Sequence, residues 1–212
     1  LHNRLIFVTI LSKNNYTNMG FPTKYEDLTV GEWMAFKSIQ ADDDLSVIDM
    51  QKQLVSLFTG LELTDVENMD IIKFGNYVKK LSFLNVELKE MPIVENWKGF
   101  KATLSLTEMK ANQMIDYESI LKAHGNNIYR CTDKLLAIVY KEKDKPYNPD
   151  KHEEHTKLFS DAKLTDVIGV VFFYSVYSFN AGKIIQICTD KANRIVTQRM
   201  KEIQESKQLV PS

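Results

Sequence analysis

From Thr29 to Leu84 the apolar residues recur at helical spacing, and each run follows a helix-start signal. Thr29-Val30-Gly31-Glu32 fits the capping box, in which the Thr hydroxyl takes one free amide of the first turn and the Glu carboxylate reaches back to another. Thr64-Asp65-Val66-Glu67 repeats that pattern, and Ser46-Val47-Ile48-Asp49 is a weaker version of it. Behind these signals come Trp33, Phe36 and Ile39; then Val47, Leu54 and Phe58, with Ile48 and Val55 beside them; then Ile71, Phe74, Val78 and Leu81. A period of about 3.6 residues puts each set on one face of a helix. Gly60 stands where a left-handed C-cap belongs. Residues 29–84 are therefore expected to form three or four helices. With only 8 Gly and 5 Pro, the chain is a poor candidate for a turn-rich β-sandwich.

The pattern changes at Val86. Val86, Leu88, Ala102, Leu104 and Leu106 alternate with polar residues, and Asn96-Trp97-Lys98-Gly99 suits a turn, so residues 86–106 are expected to be a short β-hairpin. Helical spacing resumes from Ala111 to Lys122, with Met114, Tyr117, Ile120 and Leu121, and again from Cys131 to Lys141. Residues 141–160 are densely charged and contain Pro146 and Pro149, which predicts a solvated loop. A buried helix is expected from Leu164 to Phe179 and an amphipathic one from Lys183 to Lys207.

The segment Leu63-Thr64-Asp65-Val66 recurs as Leu164-Thr165-Asp166-Val167, an offset of 101 residues. Upstream, Ser38-Ile39 matches Ser119-Ile120, Phe36 aligns with Tyr117, and Gln53–Phe58 faces Lys134–Val139, all at an offset of 81. The difference falls within the charged segment after Tyr140, where insertions cost little. The expected fold is thus mainly α: two pseudo-repeated helical units joined by a short β-hairpin, plus a C-terminal helix. The units are 19–85 and 107–180, with 86–106 as connector and 181–212 as helix and tail. Residues 1–18, a short apolar run and a polar stretch ahead of Met19, are expected to be an extension outside the fold, with Met19 the true start.

Composition excludes several classes. The chain has 212 residues, 44% of them hydrophobic, and a formal charge of -1 from 27 basic and 28 acidic residues. That balance gives no global field for polyanions, and the charges read as interleaved rather than blocked, so no nucleic-acid partner is expected. The apolar run from Val167 to Phe179 is shorter than the roughly 20 residues a bilayer span needs, so no membrane partner is expected either. Cys131 and Cys188 are widely separated in apolar contexts, which predicts buried free thiols in a reducing, cytosolic compartment.

Motifs for chemistry are scarce. His152-Glu153-Glu154-His155 would share a helix face, but the second histidine comes one residue early for the HExxH zinc pattern. Asp42-Asp43-Asp44 lacks the glycine and late glutamate of a calcium loop and precedes a helix start, where acids are favoured. No nucleophile elbow, phosphate loop or Cys–His dyad is present. No cofactor, metal or catalytic residue is predicted.

Leu54-Val55-Ser56-Leu57-Phe58-Thr59-Gly60-Leu61, Thr64 to Asp70, Phe74 and Leu81-Ser82-Phe83-Leu84 together resemble the small tail assembly chaperones of long-tailed bacteriophages. That pattern has a helix ending in LTGL, a short acidic helix, an aspartate opening the next helix, and a terminal apolar patch. Phe58-Thr59-Gly60-Leu61 takes the LTGL place and Asp70 the N-cap place. The match covers about a quarter of the chain; the hairpin and second unit depart from it and would make this a fused or duplicated version. The resemblance implies a non-enzymatic protein of the host cytoplasm that holds tape-measure or tail-tube chains during virion morphogenesis. Its partners would be phage tail or other virion proteins, and a homo-oligomer is compatible with it. Exposed aromatic anchors are then expected at Trp33, Phe36, Phe58 and Phe83 in the first unit and at Phe172, Phe173, Tyr174 and Tyr177 in the second. The alternatives are a structural virion component, such as a neck or tail ring protein, and a metal-dependent enzyme using His152, Glu153 and His155.

Overall fold

The computed structural model describes residues 20–88, 91–105 and 108–174. The fold is mainly helical, with one small antiparallel sheet. Two compact units are separated, Leu1–Val171 and Phe172–Ser212, the second being described only at 172–174. The expected extension 1–18, the C-terminal helix, Tyr177 and Cys188 lie outside the described residues.

The first unit opens with four helices, α1 (Val30–Gln40), α2 (Val47–Thr59), α3 (Leu63–Glu67) and α4 (Ile71–Lys80). The capping box at α1 is complete: Glu32 N–H donates to Thr29 Oγ1 at 3.2 Å, and Thr29 N–H donates to Glu32 Oε2 at 2.8 Å. Ser46 accepts from Asp49 N–H at the start of α2, and Asp70 accepts from Ile72 and Lys73 N–H at the start of α4. Gly60 ends α2 at φ 71°, a left-handed conformation open to glycine at no side-chain cost.

The expected box at Thr64 does not form. Helix α3 begins two residues earlier, because Glu62 C=O already takes the amides of Asp65 and Val66 and leaves Thr64 inside the helix. The expected inward face is also wrong in part. Phe74 and Leu81 are buried, but Ile71 is exposed, as are Val47 and Ile48 at the start of α2.

Strands β1 (Asn96–Trp97) and β2 (Phe100–Ala102) form a hairpin inside the expected 86–106, but a shorter one: Asn96 and Trp97, expected in the turn, are paired strand, and Val86 and Leu88 lie outside it. Lys98 and Gly99 turn it with positive φ at both positions, the geometry whose twist matches paired strands. A third strand, β3 (Tyr140–Glu142), pairs antiparallel with β2, Ala102 opposite Tyr140 and Phe100 opposite Glu142. After α5 (Ala111–Ala123), helix α6 (Thr132–Val139) therefore stops short of the expected Lys141, since β2 offers the chain a ladder from Tyr140 onward.

The segment expected as a loop from 141 to 160 is mostly ordered as regular structure. Pro149–Lys151 forms a 3-10 turn capped by the Asn148 side chain, and α7 (His152–Ser160) follows without a break. Its buried face is carried by His155 and Phe159, one turn apart, among charged neighbours. Phe159 is fully buried against the rings of Trp97, Tyr140 and Phe100 at 5.0, 5.2 and 5.4 Å. His155, one turn earlier, packs edge-on against Phe100 at 4.9 Å, so the charged helix is fixed to the sheet by two rings.

The last described helix, α8, starts at 164 and is helical to 174. Val30 N–H donates to Ala162 C=O and Leu164 N–H to Leu28 C=O, a two-bond bridge that ties the starts of α1 and α8. Two pairs of helix starts fall at the sequence offsets, α1 at 30 with α5 at 111 and α3 at 63 with α8 at 164, but α2 at 47 and α6 at 132 are 85 residues apart rather than 81. The surroundings differ, since Leu63 is exposed and Leu164 fully buried. Among the described residues no helix is long and apolar enough to cross a membrane.

Candidate partner-binding surface

Of the expected aromatic anchors, Trp33 and Phe36 belong to the core, at 1% and 3% exposure. Tyr129 stands edge-on to Trp33 at 5.3 Å, and the Lys37 ammonium lies over the Phe36 and Tyr129 rings. Phe58 and Phe83 are half-buried because residues ahead of α1 cover them: Phe21 packs against Phe58 and Tyr77, and Tyr25 packs edge-on to Phe83 at 5.3 Å. Tyr25 is itself fixed by donating to Val86 C=O. In the second unit Tyr174 is buried, and Phe172 and Phe173 are half-buried. Trp33, Phe36 and Tyr174 are therefore unavailable as surface anchors.

Some of the exposed apolar residues sit at helix starts, while Val86, Ile93, Ile115, Tyr129 and Leu158 are exposed elsewhere. Ile71 and Ile72, in the first turn of α4, are 75% and 73% exposed; Val47 and Ile48 open α2, and Leu61 and Leu63 flank the start of α3. Lys52 joins these helices, its Nζ lying 3.4 Å from Asp49 Oδ1 and 3.4 Å from Glu67 Oε1. Glu67 closes α3 four residues before Ile71, Lys52 follows Ile48 by one turn of α2, and Lys73 is exposed directly after Ile72. Sequence reasoning missed this surface, although a signal was there. Between residues 42 and 70 eight acids (Asp42, Asp43, Asp44, Asp49, Glu62, Asp65, Glu67 and Asp70) stand against one base, Lys52. The charge is locally blocked, not interleaved. Hydrogen bonding to Ser46 holds the Asp49 carboxyl below its usual range.

A second feature is an open cleft of 680 Å³ between the hairpin and α7, lined by Lys98, Phe100, Glu142, Lys143, His155 and Lys157 among others. Glu142 is its hub. Lys145 and Lys151 donate to its two oxygens and bring its carboxyl down to about 2, and His155 Nε2 lies 3.5 Å away. His152 is different: both ring nitrogens are buried without a hydrogen-bond partner, and burial lowers its pKa. Glu153 is exposed. His155 thus turns toward Glu142, while His152 is buried near the charges of Asp116 and Lys134. Among the described residues no three His, Cys, Asp or Glu side chains gather as a metal site. The three aspartates before α2 do not gather a ligand set either; Asp44 N–H donates to Asp42 Oδ1 in a local turn. Cys131 is a buried free thiol whose pKa burial raises to about 11, which makes it unreactive.

No protein-family model matches this sequence, and comparison with curated proteins and with solved structures finds no match.

Proposed function

We propose that this chain is a non-enzymatic binding protein of the tail assembly chaperone type, which holds the tape-measure or tail-tube chain of a bacteriophage in the host cytoplasm until the tail forms. The observation that carries this role is the group of exposed aliphatic side chains on α2, α3 and α4, Ile71 and Ile72 above all. They lie in the stretch whose helix punctuation resembles that family. Solvent-facing isoleucine in a first helical turn adds nothing to helix stability, since β-branched residues are mediocre helix formers. An aliphatic surface of this kind suits an amphipathic helix from a client. A neck or tail-ring role is less well supported: β2 is already paired on both sides, so the hairpin offers a neighbour only the two-residue β1 as an outer edge. Quantitative mass spectrometry of purified virions beside infected-cell lysate tests the role. Abundance in lysate with absence from virions is the expected result; a fixed copy number per virion would make the protein a structural part.

A further inference from the structure

We infer that helix α4 pairs antiparallel with α4 of a second copy of this chain, crossing at Gly75, with the lysine end of each helix over the acidic segment that precedes the other. This goes beyond the client-holding role: it assigns the resting state of the same helix, from which a client helix displaces the second copy. Residues 62–70 carry four acids, Glu62, Asp65, Glu67 and Asp70, and no base, whereas residues 71–80 carry three lysines, Lys73, Lys79 and Lys80, and no acid. All seven are exposed. Part of this charge is already engaged. Glu67 pairs with Lys52, Asp70 Oδ1 accepts from the amides of Ile72 and Lys73, and Lys80 lies over the Phe21 ring. Glu62, Asp65, Lys73 and Lys79 make no ion pair among the described residues. A segment that starts acidic and ends basic is complementary to its own reversed copy, and antiparallel pairing also opposes the two helix dipoles. A partner helix of one sign throughout would meet like charge at one end.

Three positions on α4 carry a cost that its own fold does not recover. Ile71 and Ile72 are 75% and 73% exposed. Gly75 stands inside the helix, where glycine is weaker than alanine, yet a Cβ built on it meets nothing within 4 Å. Packing within the chain thus makes no demand for glycine at 75, whereas close approach of another backbone does. At about 100° per residue, Ile71, Ile72, Gly75 and Lys79 share one side of α4, and Lys73 points about 160° away from Gly75. A two-fold contact at Gly75 therefore leaves Lys73 off the crossing. Reversal about Gly75 sets Ile71 against the aliphatic stem of the second copy's Lys79, whose ammonium then extends toward the acidic segment. One helix pair buries less than the roughly 1,200 Å² of a standard stable interface, so the dimer is weak and open to displacement.

The test is sedimentation equilibrium of the purified full-length chain over a range of concentrations. A reversible monomer–dimer equilibrium is expected, with dimer evident by about 100 µM and weakened by added salt. Gly75→Gln should weaken it at least about tenfold while raising the melting temperature of the dilute, monomeric chain, because glutamine is the better helix former and has open space there. A variant that only damaged the fold could not give both results. Ile71→Ser with Ile72→Ser should weaken the dimer about tenfold or more, the melting curve verifying the fold and Ile72→Thr serving as the milder substitute. Lys79→Gln should weaken it as well; in a parallel pair, which sets like ends together, the same change would strengthen it. A monomer at every concentration up to about 500 µM, an assembly indifferent to Gly75→Gln, or one strengthened by Lys79→Gln would overturn the inference. Sedimentation needs no phage protein, and partition between lysate and virion does not register self-association, so the two proposals fail separately.

Discussion

Lys52 on α2 reaches Glu67 at the end of α3, Nζ to Oε1 3.4 Å, and this ion pair links two neighbouring helices. A pair in solvent contributes little to folding. Its larger effect is on the field, because Lys52 is the only cation between residues 42 and 70. Lys52→Ala should lower the melting temperature only slightly, which thermal unfolding checks.

Two glycines mark close crossings. A Cβ at Gly169 would run into the Pro92 and Met91 carbonyls, backbone atoms that cannot swing aside. Gly169→Ala should cost about 1–3 kcal/mol of stability in urea unfolding. At Gly31 the nearest atom is Ser160 Oγ, 2.7 Å from a built Cβ, a side-chain atom that can be removed. Gly31→Ala should therefore destabilise, and Ser160→Ala in the same chain should recover part of the loss.

Phe159 is the ring on which Trp97, Phe100 and Tyr140 converge. Truncation to alanine should cost about 3–5 kcal/mol and loosen α7 from the sheet. Hydrogen exchange should then show α7 amides losing protection before those of α1.

Acid should weaken the fold in two steps. Burial lowers the His152 pKa below its unfolded value of 6.5, so the unfolded chain binds the proton more readily and stability falls as pH drops below that value. The neighbouring Asp116 opposes this shift, and Lys134 and His155 add to it. Glu142 is lowered to about 2 from 4.5, so its contribution is complete above 4.5 and is lost as pH falls toward 2. His152→Leu should flatten the upper step and leave the lower one; Glu142→Gln should do the reverse. Denaturation midpoints measured from pH 7 to pH 3 separate them.

Much of the helix punctuation was legible in the sequence, because caps are local chemistry. Thr29, Ser46, Gly60 and Asp70 each act on amides or carbonyls within four residues, and each stands where the sequence put it. Strand β3 was not legible. Tyr140 to Glu142 continue a helical pattern, and only pairing with β2, some forty residues earlier, turns them into a strand. Helix α7 escaped for another reason: its buried face is His155 and Phe159 alone, too sparse a signal among charged neighbours. The exposed aromatic anchors were misplaced because periodicity tells which residues share a face but not what covers it. Phe21 and Tyr25 shield Phe58 and Phe83, whereas no described residue does the same for Ile71 and Ile72.

The proposed role makes a bacteriophage the source of this chain, and the most direct measurement places Ile71→Ser and Ile72→Ser together in the genome of that source and counts tailed particles by electron microscopy. A client-holding surface predicts that the variant accumulates as folded protein while tails fail to form, leaving heads without tails. Tailed particles at the parental yield, with the variant folded and abundant, would contradict a partner-binding role for this surface.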